Sequence, residues 1–149
     1  MAYLPLDLKI ALFAVLAQVF LTFYAAIRMG VKRLHAIRSR EVKLADVEVN
    51  THAYPDHTRR YGNNLSNQFE FPILLYVAVM LSVEFNASSL PFAIACLAFV
   101  ITRYYHRLIH VRSDNVVRRF YAFLVGLGLL ILAWLFLVIN IATMEYTAL

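Results

Sequence analysis

Charge is scarce in this chain. Only 15 % of its 149 residues are Asp, Glu, Lys or Arg, while 62 % are hydrophobic. Soluble domains carry about 25 % charged and about 45–50 % apolar residues. That balance, with a mean hydropathy of +0.66, argues against a water-soluble globule and for a polytopic membrane protein read as one domain, 1–149. Cysteine is nearly absent. The single Cys96 excludes a disulfide within the chain and reads as a small core residue in an apolar run. Glycine and proline number four each, so no flexible linker or low-complexity tract divides the sequence. A cleavable leader is also missing. The run Leu8 to Ile27 is too long for one and has no small-residue cleavage site, so it reads as a retained helix. Acidic residues are outnumbered nine to fourteen, giving a net charge of +5. The cations sit beside apolar runs, which marks membrane topology and not a nucleic-acid partner.

Four stretches are candidates for membrane helices. The first covers about Pro5 to Arg28, with Gln18 its only mid-span polar residue. A polar segment follows to about Tyr61; within it Leu34 to Leu44 is a candidate surface helix, and Asn50 to His57, with Pro55, reads as loop. The second stretch ends at Val83 and the third runs from Leu90 to about His110, with Pro91 in its first turn. The fourth runs from about Val116 to Ala142. It carries Gly126 and Gly128, which would let another helix approach, and Asn140 near its far end, a candidate interhelical bond like Gln18. All Lys and Arg except Lys9 lie in or beside the first and third connections. The positive-inside rule therefore places connections 29–61 and 111–115 in the cytoplasm and both termini outside. Tyr54, Tyr61, Tyr104, Tyr105 and Tyr121 fit the inner interface, and Tyr3 and Tyr146 the outer one.

The second stretch is the unusual one. From Phe71 to Val83 its apolar run makes about 20 Å of helix, at about 1.5 Å per residue. A bilayer core is about 30 Å thick. A continuous spanning helix must start near Asn63, which puts Asn67 and Glu70 in hydrocarbon. An acid there costs roughly 2.5–3.5 kcal/mol on insertion scales, so it needs a partner and a purpose. The tight turn between the second and third helices supplies the depth scale. Glu70 lies as far before Val83 as Arg103 lies after Leu90. Counting predicts a Glu70–Arg103 ion pair, with Asn67 and His106 matched one step deeper.

Helical spacing extends this cluster. Asn63, Asn67 and Glu70 fall on one face, and Arg103, His106, Arg107 and His110 on another. Two such stripes at one depth predict a polar pocket for a small anionic ligand, its mouth ringed by Arg28, Arg118 and Arg119. The blander reading is that Asn, Glu and Arg only lock helices together and that Arg118-Arg119 is an interfacial anchor. His106 and His110 also have the spacing of a metal pair, but no further thiol or acid sits at their depth, so no metal is assigned.

Asn67-x-x-Glu70-x-Pro72 and Arg103-x-x-His106-x-x-x-His110, followed by Arg118-Arg119, resemble the motifs of the MAPEG family, the membrane-associated proteins of eicosanoid and glutathione metabolism. The resemblance covers nearly the whole chain and is to a divergent, bacterial-type member. It implies an all-α, integral membrane four-helix bundle, homotrimeric, in a bacterial inner membrane. It also implies glutathione as co-substrate, bound between subunits near the cytoplasmic face. Asn67 and Glu70 match residues that hold the glutathione backbone, and Arg103 matches the Arg supporting that Glu. His106 and His110 match positions that contact the tripeptide. Arg118 or Arg119 matches the Arg that stabilises the thiolate, and Arg28 one that reaches the neighbouring subunit's ligand. Asn63 stands where the family commonly has Arg, His110 where Tyr is common, and Pro72 comes one residue early relative to several members.

Two functions are consistent with this resemblance. One is a glutathione-dependent transferase or peroxidase acting on lipophilic electrophiles or lipid hydroperoxides. The other is a non-catalytic, lipid-binding scaffold or accessory subunit of a larger membrane complex.

Overall fold

The computed structural model describes residues 3–112 and 115–144, Arg112 in its backbone alone. Positions 113 and 114 of the expected third connection and Tyr146 of the expected outer belt lie outside the described residues. Six α-helices occur among the described residues: α1 (Leu6–Arg38), α2 (Leu44–Val47), α3 (Asp56–Ser66), α4 (Pro72–Glu84), α5 (Leu90–Arg112) and α6 (Val116–Ala142). A single 3-10 turn, Thr51–Ala53, precedes α3, and no strand occurs among the described residues. α1, α5 and α6 are long and apolar enough to cross a membrane, whereas α4 is apolar but short.

α5 is the central element. It packs against α6, α1 and α3, while α4 bridges α1 and α6. The buried stripe of α6, Ala122, Gly126, Leu130, Ala133 and Leu137, faces Phe92, Cys96, Phe99 and Val100 of α5 within the main core. Ala11 and Ala14 of α1 and Ala78 of α4 keep the remaining contacts close, as expected where small residues let helices approach in lipid. A Cβ on Gly126 would come within 2.7 Å of the Thr102 hydroxyl, so the α5–α6 approach depends on that glycine. Gly128 has open space around it and plays no such part. Large apolar side chains such as Phe13, Phe20 and Leu135 point outward from α1 and α6, the pattern of helices solvated by lipid.

Polar side chains brace the packing. Gln18 Nε2 donates to Gln68 Oε1 at 3.0 Å, and Gln68 Nε2 donates to the Asn64 carbonyl at 3.0 Å. Tyr104 OH donates to the Ala17 carbonyl at 2.8 Å. Asn140 Nδ2 donates to the Ala87 carbonyl and to Ser89 Oγ, fixing the far end of α6 to the α4–α5 turn. Gln18 and Asn140, expected to bond between helices, each tie a helix to a connection instead: α1 to the corner after α3, and α6 to the α4–α5 turn. In that turn Asn86 takes a left-handed φ of 50°. Its neighbour Ala87 donates back to the Ser82 carbonyl at 2.9 Å, a bond six residues around that closes the helix end.

Two boundaries differ from expectation. The first helix does not stop at Arg28 but continues to Arg38. Residues 29–38 are mostly good helix formers, and buried Ala36 packs with Val42, Val47 and Tyr54 of the following loop. The expected surface helix over 34–44 is therefore the tail of α1 plus a separate connection. The second helix is not continuous over 63–83. α3 ends at Ser66, tight turns occupy 67–71, and α4 begins at Pro72. Proline has no N–H for the fourth preceding carbonyl and crowds it, so the ladder breaks there. Gln68 and Phe69 instead donate to the Leu65 and Ser66 carbonyls, three residues back. The fourth segment matches its expected bounds, and the third extends two residues further.

Candidate functional site

The break between α3 and α4 builds the site. In an unbroken helix Asn67 O would accept from Phe71 N–H. Among the described residues no backbone N–H does so, and Arg103 Nη2 of α5 donates to it at 2.6 Å. Arg103 is nearly buried, so this guanidinium replaces a helical bond with one across two elements. The direct Glu70–Arg103 ion pair is not formed. The ion pairs among the described residues are His57–Glu41 and Arg59–Asp56. The turns at 67–71 take Glu70 off the helical stripe that the count assumed, and it lies exposed on the same cavity as Arg103.

That cavity has a volume of about 510 Å³, within the usual range of about 300–1,000 Å³ for small-molecule sites. One wall is α3 and the corner after it, with Asn63, Ser66, Asn67 and Glu70. A second is α5, with Arg103, His106 and His110. The third is the start of α6, with Val116, Arg119, Phe120 and Phe123. His106 and His110 stack edge to face, their ring centroids 5.8 Å apart, and His106 leans on Phe123 at 6.5 Å.

The basic groups here have spare capacity. Arg103 Nε, His106 Nδ1 and His110 Nδ1 are buried and have no hydrogen-bond partner among the described residues. Buried polar atoms are normally satisfied, and the three residues that carry these atoms also line the cavity. The lining offers guanidinium groups to carboxylates at Arg103 and Arg119 and a carboxylate to a cation at Glu70. No group of three His, Cys, Asp or Glu converges for a metal among the described residues.

Seven of the nine sequence-derived candidates line this cavity: Asn63, Asn67, Glu70, Arg103, His106, His110 and Arg119. Arg118 does not. One residue of helix is a rotation of about 100°, and Arg118 Nη2 donates instead to Tyr105 OH at 3.3 Å on the opposite side of α6. Arg28 lies partway along α1, ten residues before its end, and does not line the cavity. Arg107, expected on the stripe with Arg103, turns toward α1, its guanidinium 4.2 Å from the Tyr24 ring centroid. Sequence reading passed over Ser66, Phe120 and Phe123. Val116, Arg119, Phe120 and Phe123 recur at i, i+3, i+4 and i+7, the spacing that would have disclosed the third wall.

Three long apolar helices and a short fourth one define an integral membrane protein, with a polar cavity rimmed by arginine and histidine. The MAPEG family profile matches residues 11–139, and the chain belongs to that family. No curated protein and no solved structure matches it.

Proposed function

We propose that this chain is a membrane-bound glutathione-dependent transferase or peroxidase, built as a four-helix MAPEG bundle and assembled as a homotrimer. The observation that carries the reading is the convergence of Glu70, Arg103, His106, His110 and Arg119 on one cavity. When bound, glutathione would supply a thiolate nucleophile for a lipophilic electrophile or a lipid hydroperoxide. Arg119 holds the negative charge at the sulfur. An ordinary thiol has a pKa near 8.5, and lowering it by about two units requires about 3 kcal/mol, within reach of one partly desolvated guanidinium. Glu70 takes the ammonium, and Asn63 and Asn67 offer amides to the peptide backbone. Arg103, anchored on Asn67, fixes the cavity's shape and sets its positive charge on the wall. Phe120 and Phe123 exclude water from the side facing α6. By the charge bias, the cavity opens toward the cytoplasm, with both termini outside a bacterial inner membrane.

Asn63 favours a second reading. It stands where the family commonly has Arg, so a bidentate carboxylate clamp is lost. A scaffold or accessory subunit that kept the cluster for packing would have that substitution. Calorimetry with glutathione on the purified full chain decides between them. Binding that Arg119→Ala weakens at least tenfold, with loss of the ultraviolet thiolate band, supports the enzyme. Absence of binding in the unaltered chain supports the scaffold.

A further inference from the structure

A second cavity, of about 330 Å³, lies between α5 and α6 on the side away from the polar site, lined by Thr102, Tyr105, Arg118, Tyr121, Ala122 and Val125. Its make-up is graded along the helices. At one end stand Arg118 and the phenols of Tyr105 and Tyr121. Further along α6, about 6 Å on at Ala122 and about 10 Å on at Val125, at about 1.5 Å per residue, the lining is Ala122, Val125 and Thr102. The Thr102 hydroxyl is engaged on the Phe99 carbonyl at 2.6 Å, so this floor offers carbon. Small Ala122 is buried in the trough, and Tyr105, Tyr121 and Val125 are exposed along it.

The polar end is electropositive for three independent reasons. Arg118 is exposed and has no acidic partner among the described ion pairs. Its contact with Tyr105 has the guanidinium donating and the phenol oxygen accepting, which leaves the phenol proton available to an incoming acceptor. The first turn of α6 holds no acidic residue; Asn115 Oδ1 caps the Arg118 amide, and with no carboxylate beside it the helix start keeps its positive field. A cation with a hydroxyl donor at the membrane end of an apolar trough matches one kind of molecule, a lipid with an anionic headgroup.

We propose that the α5–α6 trough binds an acidic phospholipid, its phosphate on Arg118 and Tyr105 and an acyl chain along Ala122 and Val125. Consecutive arginines of α6 then divide between two ligands, Arg119 facing the polar cavity and Arg118 the lipid. The site does not depend on glutathione binding in the polar cavity.

The test uses the purified full chain in nanodiscs of phosphatidylcholine containing a minor share of phosphatidylglycerol. Lipid retention after delipidation is read by native mass spectrometry. Phosphatidylglycerol should be retained over phosphatidylcholine, and Arg118→Gln should lower its retention about tenfold. Val125→Trp, which fills the trough and keeps the arginine, should lower it as well. The proposal is overturned if both variants retain the lipid as the unaltered chain does, or if the two lipids are held equally. It is also overturned if millimolar inorganic phosphate alone displaces the lipid, since the headgroup would then suffice. Spontaneous cross-linking of Tyr105→Cys between subunits would overturn it too, by showing that a second copy covers this face.

Discussion

Arg103 Nη2 donates to the carbonyl oxygen of Asn67 at 2.6 Å, so a guanidinium of α5 closes the gap that Pro72 opens between α3 and α4. Hydrogen bonds to charged groups contribute about 1.5–3 kcal/mol. Arg103→Leu should therefore lower unfolding free energy by about that amount, measured by titrating the full chain in mixed micelles with a denaturing detergent. Arg103→Lys should recover only part of it, because an ammonium lacks the planar fork. Equal stability of all three proteins would show that the bond holds nothing.

Gly126 and Gly128 should respond oppositely to alanine. At Gly126 the added carbon meets Thr102 Oγ1 at 2.7 Å, and that hydroxyl is committed to the Phe99 carbonyl. Overpacking of this kind costs about 1–3 kcal/mol. Adding Thr102→Ala should restore most of the loss. Gly128→Ala meets nothing within 4 Å and should gain up to about 1 kcal/mol of helix propensity. The same detergent titration checks all three.

The Gln18–Gln68 bond ties α1 to the corner after α3. Interhelical polar bonds in membranes contribute about 0.6 kcal/mol on average, up to about 1.7. Gln18→Leu should destabilise within that range and raise amide hydrogen exchange in α3. The double change Gln18→Leu with Gln68→Leu should cost less than the two single changes added, since neither amide is then left facing apolar atoms.

Arg40 holds a left-handed φ of 59° where α1 ends, and Glu41 N–H donates back to the Ala36 carbonyl at 3.0 Å. A side chain in that conformation costs roughly 1–2 kcal/mol. Arg40→Gly should stabilise the protein by about 1 kcal/mol in equilibrium unfolding. Asn86→Gly should gain less, because asparagine tolerates the conformation better.

The elements whose signals are local could be read in advance. α6 has its first and last residues where hydropathy and charge placed them, and Asn115 caps its start. The polar stripe of α5 led to the cavity because Arg103, His106 and His110 recur on one helical face. Arg107 shows the limit of that method. It also fits the spacing, and only the position of Tyr24 on α1 decides which way it turns. The second segment was misjudged because it was lengthened to span a bilayer, while Pro72, present in the motif, was not weighed as a break. Arg118 and Arg119 were indistinguishable in sequence, since the choice rests on the rotation of α6 against α5.

α4 has only 13 residues, about 20 Å of rod where the hydrocarbon slab is about 30 Å. Irregular backbone is tolerated at such a level only if protein covers it or water reaches it. The corner at 67–71 has exposed Phe69 and Glu70, so in a bilayer either a neighbouring subunit covers it or water reaches down to it. Under the proposed function, water at that corner would let a hydrophilic tripeptide meet Arg103 without being dragged through oil, while a greasy molecule wandering laterally among the tails would reach the same rim.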